Sequence, residues 1–248
     1  MDVIDIPRIR ANGFRPGRSG GEPRVIADTA LRWSAPRLWQ PEYLKQIAGD
    51  RIVAIRAAAG EVEKMPFAQY LDWVAAVSGS NEIKELAETD VDAVDVTRAV
   101  TATGFDSFHY LDVKLADLSP KLLKDLYVPR WYKTHPAATF LWVGVLGTTT
   151  NMHLDITPNC MVQVFGARHF TLVPPSHRGD TTWQCELTTG EALYIPTGWS
   201  HQATVTATWA LNVNFVWPRP FPQGLITPAL WRPLVRRGWA QIRGAPNG

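Results

Sequence analysis

Residues 150–175 read TNMHLDITPNCMVQVFGARHFTLVPP, and residues 190–217 read GEALYIPTGWSHQATVTATWALNVNFVW. Both stretches, with the segment just before them, break into short runs rich in Val, Ile, Thr, Phe and Trp: FLWVGVLG (140–147), MVQVFG (161–166), RHFTLVPP (168–175), EALYIP (191–196), HQATVTA (201–207) and WALNVNFVW (209–217). Gly and Pro punctuate them, and no helical pattern intervenes. Runs of this length and spacing pair antiparallel into a sandwich or barrel.

Upstream of Thr139 the texture is mixed. Pro41–Ala48 starts like a helix, with proline near its first turn. Arg24–Ala27 and Arg51–Arg56 read as strands. Pro66–Val77 places Phe67, Tyr70, Leu71 and Val74 at helical spacing. Ser119–Leu126 reads as a short helix with Ser119 as its cap. Arg15–Pro23 is loop-like. Residues 228–242, carrying Trp231, Leu234, Val235 and Trp239, read as one amphipathic helix, able to cover the barrel or pair with a second copy in a homodimer. One domain over 1–248 is expected, with residues 1–138 packing α/β elements onto the barrel and residues 139–218 supplying its core strands.

Composition sets limits. Hydrophobic residues make up 46% and charged residues 19% of the 248, which excludes a disordered acidic or basic chain. The net charge of +2 gives no broad basic surface, so nucleic acid is not the expected partner. Cys160 and Cys185 are too few for a disulfide scaffold and fit a reducing compartment. The N-terminus has no stretch of signal-peptide type, and no run of about 18 apolar residues is present. A cytoplasmic protein without a membrane segment is the expectation.

His153 and Asp155 share a strand face, because side chains two apart point the same way. His201, at the head of a later run, can join them through antiparallel pairing. Two histidines and one carboxylate leave three positions of a six-coordinate metal open, the facial triad of non-haem Fe(II) oxygenases. A surface His–Asp pair is the bland alternative. Arg168 suits bidentate binding of a carboxylate, or else a salt bridge at the barrel rim. Asn159 and Asn214 sit in apolar β contexts, where a buried amide needs partners. Alternation puts Asn212 on the same face as Asn214.

Together these segments resemble the Jumonji C domain, and within it the cupin-like branch that includes asparaginyl hydroxylases. The resemblance rests on Thr150, His153, Asp155, Asn159, Gln163, Gly166 and Arg168, then Leu193-Tyr194-Ile195-Pro196, Trp199, His201 and Asn214. It implies a mainly β double-stranded β-helix (jelly-roll) fold with flanking helices. It further implies an oxygenase using Fe(II), 2-oxoglutarate and O2, which hydroxylates a C–H bond of an amino-acid-type substrate (a peptide or protein side chain, a free amino acid or a peptide natural product), with succinate and CO2 as coproducts. His153, Asp155 and His201 would be the metal ligands. Thr150 and Arg168 would anchor the far carboxylate of 2-oxoglutarate, and Asn159 and Asn214 would line its pocket. Trp142, Trp199 and Trp209 would shape the substrate mouth, or else fill the core. Arg168 stands where the family pattern has lysine, and Ser200 where it is often aromatic. The alternatives are a cupin metalloenzyme without 2-oxoglutarate (an isomerase, lyase or hydrolase) and a non-enzymatic binding protein on the same fold.

Overall fold

Alternation along the β runs sorts their side chains into two environments, and the computed structural model shows what each environment is. It describes residues 2–16, 21–57, 62–88, 109–129, 131, 135–175 and 181–217, all within one compact unit. In chain order the strands are β1 (Asp2–Asp5), β2 (Arg8–Ile9), β3 (Arg24–Ile26), β4 (Ile52–Ala57), β5 (Val62–Pro66), β6 (His109–Lys114), β7 (Ala138–Val145), β8 (Thr149–Leu154), β9 (Asn159–Phe165), β10 (Ala167–Val173), β11 (Thr181–Thr188), β12 (Ala192–Ile195), β13 (Ser200–Val205) and β14 (Trp209–Val216). The α-helices are α1 (Ala35–Leu38), α2 (Pro41–Ala48), α3 (Phe67–Gly79), α4 (Asn81–Ala87) and α5 (Leu115–Leu118).

These strands form a small sheet in the order β1-β11-β10-β13-β8 and a large one in the order β2-β3-β12-β9-β14-β7-β6-β4-β5. From β7 to β14 the chain crosses between the two sheets at every step except the β10–β11 hairpin, which stays in the small sheet, and the strands pair antiparallel, which makes a double-stranded β-helix, or jelly roll. The elements expected to pack on the barrel do more than that. β6, β4 and β5 extend one edge of the large sheet, and β3 and β2 extend the other.

The large sheet has two differently used faces. Its outer face carries Leu111, Leu141, Val143, Val162, Leu211, Val213 and Phe215, packed with Leu44, Phe67, Leu71 and Val74 of α2 and α3. Fully burying each such side chain stabilises the fold by about 1.5–3 kcal/mol. The Tyr70 hydroxyl donates to the Val143 carbonyl at 2.9 Å, which pins α3 to β7. The inner face is divided. Toward β12 it offers Leu193, Ile195 and Met161, which meet Phe170, Leu172, Cys185, Leu187 and Ala203 of the small sheet in a second core. Toward β14, β7 and β6 it offers Asn214, Asn212, Trp142 and Asp112, and there the sandwich stays open as a cavity. Apolar inner residues close one end of the jelly roll, and polar ones hold the other open.

Two local differences from the sequence expectation stand out. Residues after Ser119 form a 3-10 helix, Pro120–Asp125, capped by the Ser119 hydroxyl accepting from the Lys121 amide. Six residues are short enough for the tighter winding. The polar-rich strand β11 and the edge strands β1 and β5 carry weak β signals and were not among the expected runs. The helix expected over 228–242 lies outside the described residues. No helix among the described residues is long and apolar enough to cross a membrane.

Candidate metal centre

A bulge in the β8–β13 ladder builds the site. His153 pairs with His201 and Thr150 with Ala203, so three steps along β8 oppose two along β13. The extra residue resets the alternation. Thr150 and His153, an odd number apart, therefore both line the cavity between the sheets. Asp155 follows directly after β8. β13 brings in His201, wholly buried, two positions before Ala203 on the same face.

His153, Asp155 and His201 each present one ligand atom, and these atoms lie within 4.8 Å of one another. The imidazole centres are 4.2 Å apart. His153 Nδ1 donates to the Asn151 carbonyl at 2.8 Å, which leaves Nε2 with its lone pair. His201 Nδ1 points to the Trp199 carbonyl at 3.4 Å, and its Nε2 is buried with no hydrogen-bond partner, 3.8 Å from Asp155 Oδ2. Burial, and then the neighbouring His153, pull the His201 imidazole down to about 4, against the raising influence of Asp155. The ring is therefore neutral at physiological pH, the form that binds a metal. Two imidazole nitrogens and a carboxylate oxygen suit Fe(II) or another divalent transition metal.

Behind the triad lies a cavity of about 340 Å³. His153 and Asp155 line it, as do Thr150, Arg168, Asn212 and Asn214. Arg168 is 3% exposed and makes no ion pair with any described carboxylate. Its Nη2 reaches the Ala210 carbonyl only at 3.5 Å, and its Nε has no partner. Burial pulls this guanidinium down to about 10, so it keeps its charge near neutrality. An uncompensated buried cation is costly; an anionic ligand in the cavity would compensate it. The donor set, the orphaned His201 nitrogen and this cation fit a metal ion together with a small carboxylate such as 2-oxoglutarate.

Not every expected site residue falls on the cavity. Of the three tryptophans, only Trp142 lines it. Trp209 lies on β14 in phase with Leu211 and Val213, on the face opposite Asn212 and Asn214, and stacks on Phe165 at 4.3 Å. Trp199 is in the filled core, edge-on to Trp183. Asn159 does not line the cavity either: it is wholly buried and donates to Asp155 Oδ2 at 2.5 Å. Asn212 and Asn214 both face the cavity, each with an unpartnered amide oxygen. The expectation omitted Asp112, which shares the wall with Trp142. Its signal was the alternation Tyr110-Leu111-Asp112-Val113, which puts the two polar-tipped residues on one face.

Comparison with known proteins gives the family of this fold. The chain is 22% identical over 258 residues to "Jumonji C domain-containing protein 5" of Drosophila melanogaster, covering 86% of this chain and 60% of that protein. It is 24% identical over 234 residues to "Lysine-specific demethylase JMJ30" of Arabidopsis thaliana, covering 79% and 50%. It is 24% identical over 176 residues to "Lysine-specific demethylase JMJ32" of the same plant, covering 64% and 46%. The chain thus spans about half the length of the curated relatives it matches. The model of the cupin-like domain family matches residues 14–180. His201 falls beyond that segment, and its place in the triad rests on the strand pairing described above. The chain belongs to the cupin-like domain family, of the Jumonji C type.

Proposed function

We propose that this protein is an Fe(II)- and 2-oxoglutarate-dependent oxygenase that hydroxylates a C–H bond of an amino-acid-type substrate. One observation carries the reading: a two-histidine, one-carboxylate group opens onto a cavity that also holds a buried arginine with no acidic partner among the described residues. A metal site alone would serve many cupin reactions. The metal site and the buried cation together match a ligand that chelates with one end and is ionised at the other.

His153, Asp155 and His201 would hold the metal. Arg168 would take the far carboxylate of 2-oxoglutarate in a charge-assisted pair, and the Thr150 hydroxyl, on the same wall, would add a hydrogen bond. The Thr150 hydroxyl accepts from the Ala203 amide at 3.2 Å and donates to the Ala203 carbonyl only at 3.4 Å, a long bond that a better-placed carboxylate would replace. Asn214 would support the cosubstrate from the opposite sheet. When bound, Fe(II) and 2-oxoglutarate supply the oxidising chemistry, with succinate and CO2 as coproducts. The chain's own residues place the cosubstrate, exclude bulk water and direct the substrate toward His153 and Asp155 at the open end.

The test is anaerobic titration of the Fe(II)-loaded protein with 2-oxoglutarate, followed in the visible. A weak charge-transfer band that is absent in His201→Ala supports the reading. Iron bound by the wild type without such a band overturns it in favour of a cupin metalloenzyme of another kind.

A further inference from the structure

Five strands face nine, so part of the large sheet has no facing layer. On β4 and β5, Val53, Ile55 and Met65 belong to the face that packs on the helices. Alternation turns Ile52, Ala54 and Arg56 to the other face, where Ile52 pairs with Pro66, Ala54 with Lys64 and Arg56 with Val62. That face is open. Ile52 is 64% and Val62 50% exposed, and Ala54, Arg56, Lys64 and Pro66 are exposed as well. It measures about 10 Å from β5 to β6 and about 14 Å along β4, room for about four residues of extended chain.

Its composition differs from that of the other sheet surface left to water. The outer face of the small sheet carries His169, Thr171, Gln184, Glu186, Gln202 and Thr204, the polar side chains a solvated sheet face ordinarily shows. The open face of β4 and β5 instead sets cations among aliphatic side chains. Lys64 and Arg56 stand beside Ala54 and Val62, and exposed Lys114 follows on β6. The carboxylate on this face, Asp112, is taken by Arg56 Nε at 2.8 Å, while Lys64 and Lys114 make no ion pair with a described carboxylate. The surplus is positive, and an acidic partner complements it. The aliphatic groups gain by burial against aliphatic side chains of that partner. Nucleic acid fits less well. Tyr110, the ring beside Arg56, is already stacked on Trp142 at 5.8 Å and 11°, which leaves bases no free platform there. The surface is also continuous with the cavity. Asp112 lines the cavity, and Lys114 pairs with Phe140, which lines it too.

We infer that the open face of β5, β4 and β6 is a docking ledge, outside the cavity, for an acidic protein segment bearing aliphatic side chains. A protein held there reaches the metal centre with another part of its chain. Calling that protein a substrate rests on the oxygenase reading; the docking chemistry does not.

The experiment uses the full chain with Zn(II) and 2-oxoglutarate, labelled at the Ile and Val methyl groups for NMR. The first probe is the peptide acetyl-Gly-Asp-Leu-Glu-Val-Asp-Gly-amide. A second peptide has Lys at the three acidic positions, a third has Ser in place of Leu and Val, and an oligothymidylate stands for nucleic acid. The acidic aliphatic peptide moves the methyl resonances of Ile52 and Val62 and leaves that of Val216, which lines the cavity, in place. It binds about tenfold more tightly than either altered peptide. The double variant Lys64→Glu with Lys114→Glu, checked for folding by its thermal transition, reverses the preference toward the Lys peptide. Equal binding of all peptides, shifts at Val216 alone, no shifts, or an unchanged preference in the double variant overturns the inference. Tighter binding of the oligothymidylate overturns it in favour of nucleic acid. Shifts of Ile52 and Val62 on raising the protein concentration alone overturn it in favour of a second copy. The charge-transfer titration tests the oxygenase reading separately. The band without ledge binding removes the ledge alone; ledge binding without the band removes the oxygenase reading alone.

Discussion

Asn159 and Asp155 share a hydrogen bond of 2.5 Å, and the Asp155 oxygen that accepts it is the one 3.8 Å from His201 Nε2. The wholly buried amide thus fixes the carboxylate that completes the triad. Partners of this kind typically contribute 10- to 100-fold to metal affinity. Asn159→Ala is therefore expected to weaken Mn(II) binding by roughly that factor. Titration followed by the paramagnetic relaxation of water protons measures it. Unchanged affinity would mean that Asp155 is held by β8 and its following turn alone.

Arg168 makes opposite predictions for the free and the liganded protein. Without an anion it is a buried cation whose Nε has no partner. Holding an unpaired charge out of water carries a desolvation penalty, and an apolar side chain of similar length removes it. Arg168→Met should therefore leave the melting temperature of the ligand-free protein equal or higher. The stabilisation conferred by added 2-oxoglutarate should disappear, while Mn(II) binding stays intact. A variant that melts lower and still responds to 2-oxoglutarate would show that Arg168 serves the fold and not the ligand.

The sequence carried this site unevenly, for reasons visible in the strands. His153 and Asp155 are two apart, and simple alternation puts them together. Thr150 is three from His153, and alternation would separate them; only the bulge opposite His201 and Ala203 turns both inward. A bulge is a property of two paired strands, and one strand's sequence does not display it. Trp209 shows the converse. Its phase with Leu211 and Val213 was readable and placed it on the helix-packed face, whereas aromatic character alone suggested the cavity. Asp112 lies far along the chain from the motif and reaches the wall only because β6 extends the large sheet beside β7. The jelly roll itself was the most legible feature, since six of its strands repeat the same apolar texture between Gly and Pro turns.

Asp125 ties the 3-10 helix to the N-terminal helices. Its carboxylate accepts from Trp39 Nε1 and the Tyr43 hydroxyl, both at 2.9 Å on Oδ2, and from the Ser34 hydroxyl at 3.1 Å on Oδ1. Trp39 is 1% exposed, so removing the acceptor strands a buried indole N–H. Asp125→Ala is expected to cost about 1–3 kcal/mol or somewhat more, given three donors. Asp125→Asn, which keeps one acceptor oxygen, should cost less. Urea unfolding of the two variants gives the comparison; equal losses would mean that the charge, not the acceptor count, matters.

Gly166 is the hinge on which Arg168 depends. It joins β9 to β10 with φ of +72°, and a Cβ there would stand 2.2 Å from the Trp209 carbonyl oxygen. Gly190 has φ of +97° but open space around the same point. A left-handed conformation costs a residue with a side chain about 1–2 kcal/mol, so Gly190→Ala should lose about that much. Gly166→Ala carries the same backbone cost and must also push the Trp209 backbone away, so its loss should exceed that of Gly190→Ala by more than about 1 kcal/mol. Because Trp209 begins β14 and Arg168 lies two residues beyond Gly166, the displacement reaches both walls of the cavity. Gly166→Ala should therefore weaken the melting-temperature response to 2-oxoglutarate, and Gly190→Ala should leave it intact. Equal responses in the two variants would separate the β9–β10 turn from the cosubstrate site.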